Sequence, residues 1–385
     1  MKENSSALYS EYIIDGVRMD ETPAQMLREC MPPDIARTSG ISKGEFTPVI
    51  DESRDPSPGI CRYNRPDVPD YMCKSLEYLE NPRPFELSFP AFFTRMKIAA
   101  AIIDALWKEG HFRLEDIRLN AGWDWNSLPI GNMAAFYASA EAAGQYIYDL
   151  GTSLEHFSFR ENENSCRADF NVSGTSKPHT EPVHEEDAVI EQDKEETWIT
   201  DRRKCPDIAS DDPKSWLIYI PFDTCAHRLG GSVLERIAGC SGDTAPEIRD
   251  PDYFMDCYEV VRELVEDGIV MAAVTVSDGG LMAAAGRLCA GTGADIDVSG
   301  IASSYMENDM VKILFAEIPG VLMQISDNDY DYTDSQLILQ DIAYYPVGHP
   351  GRNGGKVTAG NGIRSDVAGI LASLIYGQDS SEGED

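Results

Sequence analysis

Basic residues are scarce in this 385-residue chain: Lys and Arg together number 32 against 66 Asp and Glu, a formal charge of −34. A surface of that sign repels phosphate backbones and anionic lipid, which excludes nucleic acid and membrane surfaces as partners. Long apolar runs are missing too. No stretch approaches the roughly 18 residues needed to cross a bilayer, and the start, MKENSSALYSEY, lacks the apolar core of an export signal. Cysteine is present nine times but never as C-x-x-C, and the odd number with several apolar settings predicts reduced, mostly buried thiols in a cytoplasmic protein. Six histidines show no metal-ligand spacing.

What the chain does have is uneven. Residues 1–80 are rich in Pro, Gly and charge, with one short helix expected near 22–30. Apolar residues at Met96, Ile98, Ala99, Ile102, Ile103, Leu106 and Trp107 predict a helix over 95–110. A second helix is expected over 132–150, with Asn132 as its cap and Gly151 beyond its end. Between them "LNAGWDWNSLPIG" reads as an irregular aromatic connection. An acidic stretch follows: residues 181–196 hold eight carboxylates against one Lys, a solvated, disordered composition shared by the tail after Gly377.

Beyond it, strands are expected at 216–221, 269–276, 294–298, 320–325 and 342–347. Helices alternate with them at 233–238, 251–267, 281–288, 309–317 and 334–341, and a closing helix is expected at 365–375. Such alternation predicts an α/β or α+β lobe with helices packed on a sheet.

Three motifs bear on chemistry. "SDNDYDYTDS" puts Asp327, Asp329 and Asp331 at calcium-loop spacing, but Tyr332 and Ile338 stand where the loop needs Gly and Glu. It reads as a strand-to-helix loop with a capping Asp. "GHPGRNGGKV" has Pro350 where a phosphate loop needs its first Gly, and no Ser or Thr directly follows Lys356. It reads as a flexible turn. The third, Ser277-Asp278-Gly279-Gly280, leads from a β-branched strand into an Ala-rich helix. N–H groups at such a helix start can hold phosphate, so Ser277, Gly279 and Gly280 are the cofactor-binding candidates, with Asp278 setting a negative charge among them. No catalytic residue and no metal ligand is assigned.

Four blocks, "IYIPFDTCAHRLGGSVL" (218–234), "DPDYFMDCYEVVRELVEDGIVMA" (250–272), "SDGGL" (277–281) and "VKILFAEIPGVLMQI" (311–325), follow one another in the order and spacing of a known family. The chain resembles formylglycinamide ribonucleotide amidotransferase, or phosphoribosylformylglycinamidine synthase, of the large type, and in particular a divergent second aminoimidazole-ribonucleotide-synthetase-like half. "NPRPFELSFPAFFTRMKIAAAIIDAL" (81–106) and "LNAGWDWNSLPIGNMAAFYASAEAAGQYIYDLG" (119–151) are similar to the same family, as is "ETPAQMLREC" near the start. The resemblance implies a two-lobed unit. A divergent segment at 1–80 precedes a reduced N-terminal lobe at 81–174, whose sheet pairs with another such lobe. An acidic insertion at 175–213, a C-terminal α/β lobe at 214–376 and a tail at 377–385 complete it.

It also implies de novo purine biosynthesis: ATP-dependent amidation of formylglycinamide ribonucleotide, with Mg²⁺ and glutamine-derived ammonia. Departures from the family set this chain apart. Where the family carries a His-Asp or similar acidic pair ahead of the turn, Val274 and Thr275 stand here. Its magnesium-binding Glu is absent from a helix that reads Ala100-Ala101-Ile102-Ile103-Asp104. Its Gly-Lys-Asp-Ser loop gives way to "LEHFSFRENENS" (154–165). ATP and Mg²⁺ are therefore implied by the family while their ligands are missing here. Two readings stand. One is a non-catalytic half supporting a partner's active site, the partner being a first-half subunit or a second copy, with a glutaminase subunit beside it. The other is an autonomous pseudoenzyme, a dimerising binding or scaffold protein.

Overall fold

The computed structural model describes residues 6–33, 35, 49–54, 83–108, 113–175, 205–238, 244–351, 357–359 and 365–366. The chain enters through α1 (Ser6–Tyr9), β1 (Glu11–Ile14), β2 (Val17–Arg18), α2 (Pro23–Glu29) and β3 (Val49–Glu52). The strands make a small sheet of order β2-β1-β3. Asp15 and Gly16, at φ 51° and 78°, turn β1 tightly into β2, the two-residue hairpin that positive φ favours. The expected helix near 22–30 is α2, held by a capping box in which the Thr22 hydroxyl accepts from Gln25 N–H and the Gln25 side chain accepts in return.

Next come α3 (Pro90–Lys108), β4 (Ile117–Trp125), α4 (Asn132–Asp149), β5 (Ser153–Glu161) and β6 (Arg167–Thr175), with sheet order β5-β4-β6. The aromatic stretch expected to be irregular is the central strand of this sheet. Ile117, Leu119, Ala121, Trp123 and Trp125 alternate inward, while Arg118, Asn120, Gly122 and Asp124 face the other way. Period-two burial outweighs the low strand preference of Gly, Asn and Asp. Gly131, not Asn132, caps α4, at φ 91°. Asn132 instead begins the helix, its side-chain amide donating to Asn126 O at 2.7 Å.

The third layer is a seven-stranded sheet, built from β7 (Trp216–Pro221), β8 (Val270–Val276), β9 (Ala294–Ile296), β10 (Gly320–Ile325), β11 (Tyr345–Pro350), β12 (Val357–Ala359) and β13 (Ser365–Asp366). Their order is β13-β12-β9-β11-β7-β10-β8. Between the strands run α5 (Val233–Ala238), α6 (Pro251–Glu266), α7 (Gly280–Leu288), α8 (Ser299–Tyr305), α9 (Met310–Phe315) and α10 (Tyr330–Leu339). This is the mixed α/β, two-lobed class the sequence implied. Ser365 and Asp366, expected to open a closing helix, pair with β12 instead, and the rest of that expected helix lies outside the described residues. So do most of the acidic insertion and the acidic tail. Residues 205–213 are described: Pro206 O accepts from Ala273 N–H of edge strand β8 at 2.8 Å, which gives that edge a partner.

One face of the large sheet, with Ile218, Ile220, Ala273, Val321, Met323 and Ile325, belongs to a core shared with α3, α4 and α6. The other, with Leu217, Tyr219, Val274, Val276 and Leu322, packs under α7 and α9. Among the described residues no helix is long and apolar enough to cross a membrane.

Candidate functional site

The glycine turn leaves β8 at Val276 and enters α7 at Gly280. Gly279 and Gly280 sit at φ 80° and 68°, conformations open to glycine and strained for other residues. Gly280 N–H donates to Ser277 O at 2.9 Å and closes the bend. A Cβ on Gly280 would stand 2.7 Å from Leu314 O and 2.8 Å from Ala316 O, so the end of α9 also demands glycine here.

The anion at this helix start is the chain's own. Gly279 N–H donates to Glu317 Oε1 at 2.8 Å, and that oxygen also accepts from Val233 N–H at 2.8 Å, at the start of α5. Arg83 completes the set. Its Nη1 donates to Glu317 Oε1 at 3.2 Å, its Nη2 lies 2.9 Å from Glu317 Oε2, and its Nε lies 3.1 Å from Asp278 Oδ1. The guanidinium rests on the Phe93 ring, 4.7 Å from its centroid. The Lys97 ammonium meets the other oxygen of Asp278. Burial pushes the Asp278 carboxyl up, but Lys97 and Arg83 outweigh burial and hold it below the usual carboxylate range. Burial likewise opposes the Arg83 cation, and Glu317 and Asp278 reverse that, raising its pKa.

Of the three candidates, the structure brings Gly279 into this network, leaves Gly280 as a steric hinge and uses Ser277 through its carbonyl. Three participants were not singled out in the sequence: Arg83, Lys97 and Glu317. Glu317 had a signal, since a lone carboxylate in "KILFAEIPGVLM" is costly to bury without a partner.

Ahead of the turn, the Thr275 hydroxyl donates to Asp104 Oδ1 at 2.5 Å and accepts from Trp107 Nε1 at 3.1 Å. Val274 is buried in the core. Magnesium takes oxygen ligands in octahedral array, mostly carboxylates and phosphates. Here Asp278 is already balanced by two cations, Asp104 is engaged by Thr275, and Glu317 is held by Arg83 and two backbone N–H groups. This donor set does not fit a magnesium ion on the turn. Among the described residues no group of three or more His, Cys, Asp or Glu side chains is placed to hold a metal. "LEHFSFRENENS" is β5 and the turn into β6.

The calcium-like stretch forms a short 3-10 turn from Asp327 to Asp329. Ser326 caps that turn by accepting from Asp329 N–H, Asp329 itself stands at the N-cap of α10 without a side-chain cap hydrogen bond, and Asp327 accepts from Trp216 Nε1 at 2.9 Å. Gly348, in the phosphate-loop-like stretch, lies in β11 with φ 147°, where a Cβ would stand 2.2 Å from Asp295 O. Residues 352–356 lie outside the described residues.

Residues 216–343 match the family described as AIR synthase related protein, C-terminal domain. The match falls within the C-terminal lobe. The human phosphoribosylformylglycinamidine synthase is 23% identical over 255 residues, which cover 63% of this chain and 17% of that protein. The chain thus spans a small part of the curated relative it matches. The fold is also that of Thermotoga maritima PurL. Its complex with ATP superposes with a TM-score of 0.51 at 14% identity, covering 74% of this chain and 41% of that one. Its complex with FGAR gives the same score and identity and covers 43% of that chain. The region that matches the family model contains the glycine turn that Glu317 closes.

Proposed function

We propose that the chain serves phosphoribosylformylglycinamidine synthase as a non-catalytic second half, supporting an active site that a partner half supplies. The observation that carries this reading is the self-filled turn. A lobe of the AIR synthase related type keeps its bend, while Glu317, Arg83 and Lys97 take up the charges that a phosphate and a metal would meet. Phosphoryl transfer depends on positioning and neutralising a developing charge, and the turn's own groups are committed to each other. The remaining part is architectural: the β5-β4-β6 sheet to pair with a partner lobe, and the C-terminal lobe to back it. The reaction supported is the ATP- and glutamine-dependent amidation of formylglycinamide ribonucleotide, with ATP held by the partner.

The test combines the purified chain with a first-half polypeptide and a glutaminase subunit and measures amidine formation. Activity is expected only in the mixture, and calorimetric titration of the chain alone with Mg·ATP is expected to show no saturable binding. Saturable binding by the isolated chain would refute the non-catalytic assignment. A mixture without activity, with the chain a dimer by itself, would shift the assignment to a dimerising scaffold.

A further inference from the structure

The two cations at the turn differ in kind. Both lie over the Phe93 ring, but Arg83 is fully buried and spans both carboxylates, as a structural cation does. Lys97 reaches in from the middle of α3 with 20% of its side chain still exposed, and touches the oxygen of Asp278 that Arg83 leaves. Its charge also acts on Asp169 of β6. Burial and then Asp124 push that carboxyl up, and Lys97 and Arg167 draw it down. The ammonium thus pairs with the nearly buried Asp278 carboxylate while staying partly exposed itself, where a hydrated divalent ion would use one or two carboxylates and several waters.

We propose that the Lys97 ammonium is a built-in counter-cation that takes the place of a divalent metal at the glycine turn, so that the turn keeps its shape without added metal. The proposal does not depend on the purine reading, because it concerns which cation neutralises Asp278 whatever the chain's activity. An ammonium is a compact point charge with three donors. Tethered to α3, it stays in place at any metal concentration. Removing it leaves the Asp278 oxygen that Arg83 does not touch without its cation inside a nearly buried carboxylate, and takes from Asp169 one of the two cations, Lys97 and Arg167, that draw it down.

The experiment is Mn²⁺ binding by electron paramagnetic resonance, paired with thermal unfolding in Mn²⁺ or EDTA, on the full chain. The wild type is expected to melt at the same temperature in both. Lys97→Met is expected to melt lower in EDTA, to recover saturably with Mn²⁺, and to bind one Mn²⁺ at least about tenfold more tightly than the wild type. Lys97→Met/Asp278→Asn is expected to lose both responses. Should Lys97→Met fail to fold, Lys97→Gln, which can still donate to Asp278 without the charge, is read by the same criteria. The proposal is overturned if the single variants respond to Mn²⁺ no more than the wild type. A response that survives Asp278→Asn also overturns it, since that would be general to an acidic chain.

Discussion

At the scale of single residues, buried polar groups decide the most. Glu317 is acceptor to Arg83 and to two helix-start N–H groups, so Glu317→Ala leaves a guanidinium and two backbone donors without their acceptor. Breaking a buried pair from one side costs about 3–5 kcal/mol, which urea unfolding of the variant should register. A loss below 1 kcal/mol would mean that the network relaxes around the gap. His227 is the opposite case. It is buried against the Tyr305 ring, and neither ring nitrogen has a hydrogen-bond partner among the described residues. Burial lowers its pKa to about 4, with Glu307 opposing. The neutral ring is the folded form, so between the ordinary value near 6.5 and about 4 the unfolded chain binds the extra proton. The stability is fully present above about 6.5 and is lost as pH falls through that window, at up to about 1.4 kcal/mol per pH unit. His227→Phe should flatten this part of the stability curve. An unchanged slope between pH 6.5 and 4 would show that the ring contributes nothing to it.

At the scale of elements, helix α7 offers a paired test. Gly280 has a positive φ and would drive a Cβ into the carbonyls of Leu314 and Ala316, whereas nothing lies within 4 Å of a Cβ on Gly286 in the same helix. Gly280→Ala should therefore destabilise by about 1–3 kcal/mol, and Gly286→Ala should stabilise by about 0.5–1 kcal/mol. Thermal melts of the two variants shifting in the same direction would contradict this division. The same region shows what the sequence made legible. The β8–turn–α7 path was readable because a β-branched run, paired glycines and an Ala-rich helix all point the same way. β4 was not, because Asn120, Gly122 and Asp124 hide an alternation that only Ile117, Leu119, Ala121, Trp123 and Trp125 carry. The small β2-β1-β3 sheet was missed for another reason: its strands have two to four residues each, too short for any period to show. Within the site, the bend could be read locally. The Arg83–Glu317 pairing joins positions 234 residues apart and exists only once the lobes are packed.

At the scale of the whole molecule, the lobes share a core rather than merely touching. Helix α3 places Met96, Ile98, Ala99, Ile102, Ile103 and Leu106 in the same buried cluster as Trp123 and Phe136 of the first lobe and Phe254, Val261, Val321 and Met323 of the second. Arg83 adds a buried ion pair from the segment before α3 to Glu317, just ahead of β10. Because apolar burial contributes about 25 cal/mol per Å², stripping the first lobe from one face of the large sheet removes much of what holds the second together. A fragment of residues 205–385 is thus expected to expose Ile218, Ile220, Met323 and the inner side of α6, to bind a hydrophobic dye, and to lack a cooperative melt. In the full chain, aromatic circular dichroism and tryptophan fluorescence should follow one common transition, since Trp107, Trp123 and Trp125 lie on the first-lobe side and Trp216 packs against Tyr330 on the other. Two separated transitions, or a fragment that melts cooperatively by itself, would show that the lobes are independent units and that the buried Arg83–Glu317 bridge joins them without coupling them.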